Sequence, residues 1–249
     1  MTSSPGWLTL NDLDLYLRAL CKRKTILKQQ TLALFDLDYT LLDADSEELW
    51  CRYLFKNQIV DAAFVAGIQA FYWQYELGIL DLYKYQEFLL APLVLNPPAE
   101  MLKLRESFLE WVREVVRPDM LERVSWHRMQ KHELVMITAT NSFIAEPIAY
   151  MLGFSNLICT HAEVDDGCFT GKITGVAPFQ YGKVIRLAAW LREKKLSLKG
   201  SWCYSDSHND LPMLGLVDHP VMVRPDDTLR QYGLERGWQI FEPTLMEQQ

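Results

Sequence analysis

Thr31-Leu-Ala-Leu-Phe-Asp36-Leu-Asp38-Tyr-Thr40 is the stretch on which the fold of this chain turns. Thr31 to Phe35 is a compact apolar run between polar neighbours, the pattern of a strand buried on both faces in a parallel sheet. Asp36 and Asp38 follow at once, so in an open parallel sheet they fall at the carboxyl edge, where ligands bind. Two carboxylates one residue apart face one crevice only if the backbone turns there. Alone, the pair reads equally as a reactive centre or as a solvated Asp-x-Asp turn closing the strand.

The flanking sequence gives the fold class. From Ser46 to about Gln130 the chain is rich in Leu, Trp, Tyr, Phe and Glu at helical spacing, broken at Gly78, at Asn96-Pro97-Pro98 and at Pro118, which predicts an insertion of four or so helices. Glu133 to Ile137 is a second buried-strand run, followed by a helix over Phe143 to Leu152 that closes at Gly153. Strands are expected at Asn156 to Thr160, at Cys168 to Thr174 in a hairpin around Asp166-Gly167, at Ser201 to Tyr204 and at Val221 to Val223, with a helix from Gly182 to Lys194. Alternating strands and helices predict an α/β protein, a Rossmann-like mostly parallel sheet with helices on both faces. Leu8 to Leu20 is spaced for a short helix with Asn11 as N-cap. The expected organisation is an accessory helical segment at 1–30, a core at 31–45 and 131–249, and a helical cap at 46–130.

Three further signals fall where a phosphate site needs them. Thr138 ends the second strand run, offering a hydroxyl and, with Ala139, adjacent backbone N–H groups to a phosphate oxygen. Lys183 opens the helix after Gly182 and can bring a point positive charge to the same anion. Asp206-Ser-His-Asn-Asp210 places two more carboxylates at another strand end. Four acids in one crevice repel unless a divalent cation lies among them, and hard oxygen ligands favour magnesium. Singly, Thr138 reads as a strand-end cap and Lys183 as a solvated helix residue.

These motifs in this order resemble the haloacid dehalogenase-like phosphohydrolases, in the subgroup similar to phosphoserine phosphatase. Leu34-Phe-Asp36-Leu-Asp38-Tyr-Thr40-Leu resembles that family's first motif, Ile137-Thr138 its second, Lys183 its third and Asp206 to Asp210 its fourth. Ile137-Thr-Ala-Thr-Asn141, Gly182 to Leu187 and Ser205 to Asp210 resemble bacterial proteins described as histidinol-phosphate phosphatases. The resemblance spans Leu32 to Ile240, and the helical insertion is similar to the family's type C1 cap. It implies Asp36 as nucleophile, Asp38 as general acid and base, and Thr138, Ala139 and Lys183 at the phosphate. It also implies magnesium on Asp36, the Asp38 backbone carbonyl, Asp206 and Asp210, with Asn209 and Asn141 in support. A phosphotransferase or mutase would use the same four motifs while excluding water. A non-catalytic binding protein on this fold would be expected to lack one of these residues, and a dehalogenase suits the acid at Asp38 and the phosphate ligands less well.

Bulk properties narrow the partners. The formal charge of −7 repels nucleic-acid backbones and anionic membrane surfaces, leaving a small phosphorylated metabolite as the expected partner and the oligomeric state open. The five cysteines are odd in number and never spaced C-x-x-C, so reduced, buried thiols are expected and neither disulfides nor zinc. No signal-like or membrane-spanning run is present, which places the expected protein in the cytoplasm. His208 is expected to be solvated or structural, the other histidines lack metal spacing, and Phe71-Tyr-Trp73 with Tyr75 reads as cap core.

Asp45 stands where the chain enters the cap. In the phosphoserine-phosphatase-like subgroup an acid at this place is expected to face the substrate's amine, and the segment 46–130 carries more carboxylates than basic residues. Both point to a small phosphomonoester bearing an amine, phosphoserine or histidinol phosphate. The competing reading is that Asp45 only caps the first cap helix.

Overall fold

The computed structural model describes residues 30–242, so the expected helix at Leu8 to Leu20 lies outside the described residues. A seven-stranded sheet runs through them in the order β4-β3-β2-β1-β5-β6-β7. Its strands are β1 (Leu32–Phe35), β2 (Glu133–Asn141), β3 (Asn156–Asp165), β4 (Cys168–Thr174), β5 (Trp202–Ser205), β6 (His219–Val223) and β7 (Gln239–Phe241). Every pairing is parallel except β3 with β4. The antiparallel pair turns at Asp166 and Gly167, both at positive φ (47° and 78°), as the Asp-Gly signal requires.

Five helices, rather than about four, separate β1 from β2: α1 (Ser46–Lys56), α2 (Ala62–Glu76), α3 (Leu82–Leu95), α4 (Pro98–Val115) and α5 (Pro118–Met129). The prolines at 98 and 118 sit in the first turns of α4 and α5, where a missing N–H costs nothing, so they start helices rather than merely break them. Beyond β2 come α6 (Ser142–Met151), α7 (Tyr181–Lys194), α8 (Leu211–Leu214) and α9 (Asp227–Leu234).

The residues of β1 alternate between two cores, which puts helices on both faces of the sheet. Ala33 and Phe35 join Trp50, Phe108, Val124 and Ile148 on one side, and Leu32 and Leu34 join Val184, Leu187, Met213 and Leu229 on the other. Burying one such aromatic or branched side chain contributes about 1.5–3 kcal/mol, so losing either layer would unfold the sheet. On the first side α5 is also tied down by a polar contact, His127 Nε2 to Tyr204 Oη at 2.7 Å, while Phe35 stacks on Tyr204 at 4.6 Å. Burial holds His127 low, at about 3, so this contact is made by a neutral ring.

Two expectations are corrected. Tyr72 and Trp73 are exposed while Phe71 packs against Tyr85 and Phe88, because successive residues of α2 point about 100° apart and the three cannot share the covered face. Cys51, Cys159 and Cys203 are buried, but Cys168 is exposed at the start of β4, the edge strand of the sheet. Among the described residues no helix is long and apolar enough to cross a membrane.

Candidate active site

Strand order brings the site together. Phe35 is in register with Met136 on one side and Tyr204 on the other, so the carboxyl ends of β2, β1 and β5 lie side by side. Residues following the three strands share one crevice.

Asp36 leaves β1 nearly buried, its N–H donating to the Tyr204 carbonyl at 3.0 Å. The backbone then turns. Leu41 and Leu42 both donate to the Leu37 carbonyl, and Tyr39 takes φ of 55°, a conformation that L residues other than glycine rarely hold. Buried Arg117 grips the Tyr39 carbonyl through Nη1 at 3.3 Å, and Thr40 donates to Asp206 Oδ1 at 2.9 Å while accepting the Asp206 N–H at 3.1 Å. This fixes the turn that the Asp-x-Asp pair needs to face one crevice.

Lys183 Nζ donates to Asp36 Oδ1 and to Asp210 Oδ2, each at 2.7 Å, and Ser205 Oγ also donates to Asp210 Oδ2. Burial works to lower the lysine, but Asp210 and Asp36 outweigh it and hold Lys183 above its ordinary range. Helix α7 begins at Tyr181, one residue before the expected start, so Lys183 is its third residue. The approach depends on Gly182, where a Cβ would stand 2.0 Å from the Ala177 carbonyl oxygen.

Asp38 has both oxygens engaged. Oδ1 accepts the Ser46 N–H and Oδ2 accepts the Thr140 hydroxyl, each at 2.7 Å. Burial, then the charge of Asp45, raises it to about 7. Thr138 lies within β2 rather than at its end, because the strand continues to Asn141 through a register shift after Ile137; the β-branched Thr138 and Thr140 suit the extended backbone. Thr138 donates to Thr140 at 2.9 Å and Thr140 to Asp38, a hydroxyl chain that ends on the acid. The Ala139 carbonyl accepts from Thr160 at 2.6 Å.

The remaining expected residues are placed as follows. Asp45 Oδ1 accepts the Glu48 N–H at 2.8 Å, the N-cap of α1, and burial raises its carboxyl to about 7. Asn209 links Gln180 to Tyr75. Asn141 donates its N–H and its Nδ2 to Glu47 Oε1, at 2.9 and 2.8 Å. His208 is exposed and pairs with Asp226 at 2.9 Å, in keeping with a structural role.

Glu47, absent from the sequence reading, is the buried acid behind this region, taking Gln86 Nε2 at 3.0 Å as well as Asn141. Burial raises it from 4.5 to about 7. The folded protein therefore holds a proton here that the unfolded chain releases, so stability falls as pH rises between these values. Glu47→Gln is expected to flatten that fall by up to about 1.4 kcal/mol per pH unit, measured by urea unfolding from pH 5 to 7. An unchanged slope would show that Glu47 is not the buried acid.

Asp36 and Asp210 share one cation, Lys183, while Asp206 accepts from Thr40. Asp36 is raised by burial, opposed by Lys183 and reinforced by Asp210 and Asp38; Asp206 is raised well above its ordinary value by burial and then by Asp36. Among the described residues no three His, Cys, Asp or Glu side chains are grouped to hold a metal by themselves. With Asp210 engaged by Lys183 and Ser205, the carboxylates of Asp36 and Asp206 are the oxygen donors left for a cation. That set of hard oxygens fits magnesium, which binds through one or two carboxylates and keeps several waters.

A mostly parallel sheet with acids at its carboxyl edge, a buried lysine bonded to Asp36 and Asp210 and a helical insertion after the first strand points to a class of hydrolase. The chain belongs to the haloacid dehalogenase-like hydrolase family, which matches residues 33–215. It is 38% identical over 217 residues to the histidinol-phosphatase of Neisseria meningitidis serogroup C, covering 85% of this chain and 98% of that protein. Over 215 residues it is 32% identical to phosphoserine phosphatase SerB1 of Mycobacterium tuberculosis, covering 84% of this chain and 69% of the other. A solved structure of a protein of unknown function from Bordetella pertussis Tohama I superposes with a TM-score of 0.80 at 36% identity, covering 86% of this chain and 99% of that one. A phosphoserine phosphatase structure, a phospho-aspartyl intermediate analogue, shares the fold with a TM-score of 0.63 at 16% identity, over 86% of this chain and 93% of that one.

Proposed function

We propose that the chain is a magnesium-dependent phosphatase that hydrolyses a small phosphomonoester bearing an amine, by way of an aspartyl phosphate on Asp36. The observation that carries this reading is the pairing of Asp36, held by Lys183, with Asp38, an acid fixed by Ser46 and Thr140 and poised near neutrality. Asp36 attacks phosphorus as the ester P–O bond breaks, and Asp38 gives its proton to the departing oxygen. Asp38 then takes a proton from water, which attacks the phosphorus, releases phosphate and restores Asp36. Lys183, with Thr138 and the Ala139 N–H, serves the phosphoryl oxygens, since positioning and electrostatics supply most of the catalysis in phosphoryl transfer. Magnesium, held by Asp36, Asp206 and the Asp38 carbonyl with Asp210 behind them, would neutralise charge on the transferring group.

The amine is supported by charge. Asp38, Asp45 and Glu47 lie near one another, and among the described residues none of them forms an ion pair, since Lys183 is engaged by Asp36 and Asp210. A substrate ammonium or imidazolium supplies the missing positive charge. The relatives named histidinol-phosphatase and phosphoserine phosphatase support the same substrate class.

The test compares phosphate release from histidinol phosphate, phosphoserine and an aryl phosphate, with magnesium and with EDTA, in the wild type and in Asp45→Asn. Release is expected only with magnesium. Asp45→Asn should raise KM for the aminated substrates about tenfold or more, leaving the aryl phosphate nearly unchanged, because only the former lose a charge-assisted contact. Asn still caps α1, so equal mild effects on all substrates would leave Asp45 as a cap alone. Full activity in EDTA would overturn the metal assignment.

A further inference from the structure

We propose that Tyr75 is a positioning residue of this site, its hydroxyl tying helix α2 of the insertion to the loop that carries Asp206 and Asp210 and, through Gln180, to the helix that carries Lys183. The inference rests on the phosphatase reading and adds to it a specific tie between the insertion and the site.

Tyr75 stands in the last turn of α2. Its Oη accepts Asn209 Nδ2–H at 2.7 Å, and Asn209 Oδ1 accepts Gln180 Nε2–H at 2.8 Å. Asn209 is itself fixed within the loop, since its N–H and its Nδ2 both donate to Ser207 Oγ at 3.2 Å. One phenol therefore bears on two segments 29 positions apart, the loop after β5 and the residue that opens α7. Gln180 immediately precedes α7 at φ 50° and ψ −122°, a conformation costly for a residue with a side chain, and the hydrogen bond its side-chain amide donates to Asn209 helps to hold it there. Three residues on from this strained position is Lys183.

The neighbours of Tyr75 show that its direction is particular. Trp73 is largely exposed, whereas the Tyr75 ring turns inward to within 6.2 Å of the Phe179 ring. The charges of Asp206 and Asp36 both act on its hydroxyl, which, with burial the largest cause, keeps the phenol protonated. Helices α1 and α3 meet the core differently: Glu47 of α1 binds Asn141 and Gln86 of α3, and Val94 of α3 lies over Gly171 of β4. For α2, the Tyr75 hydroxyl makes a polar contact with the loop that follows β5.

The experiment uses the full chain with magnesium and compares Tyr75→Phe, Asn209→Ala and the double variant, with an aryl phosphate as substrate and glycerol as competing acceptor. Each single change is expected to lower kcat/KM about three- to tenfold, the effect of one hydrogen bond to a partly buried group. The double variant should be no worse than the more damaged single one, because both remove the same tie. Tyr75→Phe should also raise the share of phosphoryl groups passed to glycerol at the expense of water, since a looser α2 admits the larger acceptor; a tyrosine that only packs would not move this ratio. A readout without turnover is limited proteolysis of the connection between α2 and α3, residues 77–81, which should be cut several-fold faster in Tyr75→Phe. If the wild type releases no phosphate, the function reading fails while the proteolysis still decides the tie. Additive losses, or cleavage at the wild-type rate, overturn the proposal.

Discussion

Asp36→Asn is expected to reduce steady-state phosphate release to the uncatalysed background while leaving the protein folded. The amide lacks the anionic oxygen that the attack requires, and no other carboxylate occupies its place between Lys183 and the turn at Tyr39. Folding should not suffer, because burial and the charges of Asp210 and Asp38 raise Asp36, so a neutral group is easier to bury there. Lys183 keeps Asp210 as its partner. The expected unfolding midpoint in urea, without metal, corresponds to a stability within about 1 kcal/mol of wild type or above it. Appreciable turnover in the folded variant would sink the covalent mechanism.

Lys183→Met should be the most damaging single change to stability in the site. Methionine matches the length of the lysine stem but leaves Asp36 and Asp210 buried without their shared cation, and breaking a buried pair in this way costs about 3–5 kcal/mol. In a chain of this size that corresponds to roughly 10 °C in Tm. Phosphate release should be lost as well, since the point charge for the phosphoryl group goes with it. In an Asp36→Asn background the same substitution should cost clearly less, because one of the two stranded charges is already gone. An equal cost in both backgrounds would mean that the contact between Lys183 and Asp36 contributes nothing to the folded protein.

Much of this site was legible because its chemistry sits on strand ends, and buried strands announce themselves locally. The apolar run before Asp36 and the segment before Asp206 each mark a carboxyl edge, and the run before Thr138 marks where the pairing of β2 shifts register. Lys183 was legible only in company, as one basic residue near a helix start. Thr40, Thr140, Arg117 and Glu47 were not legible as parts of the site. Thr140 lay inside a quoted motif with no role, and its task of holding Asp38 depends on a partner 102 positions away. Glu47 looked like any acid in the first turn of a helix, where carboxylates are common for the sake of the dipole. Only the packing of α3 over it made it a buried acid.

Asp45 shows how the two levels divide. The sequence offered both a helix cap and an amine ligand, and the structure shows the cap bond to Glu48 directly. It also shows the environment the sequence could not supply, in which burial and then the charge of Glu47 raise Asp45 above its ordinary range.

By itself the sequence determined the α/β class, the mostly parallel sheet, the helical insertion after the first strand and the identity of the acids at strand ends, because periodicity, turn residues and apolar runs are local properties of a chain. The tertiary structure alone decided the order β2-β1-β5, which sets segments around residues 36, 138 and 206 side by side. It also decided the turn at Tyr39, the burial of Glu47 and the inward face of Tyr75. These follow from which surfaces are covered by distant parts of the chain, and no short window of residues contains that information.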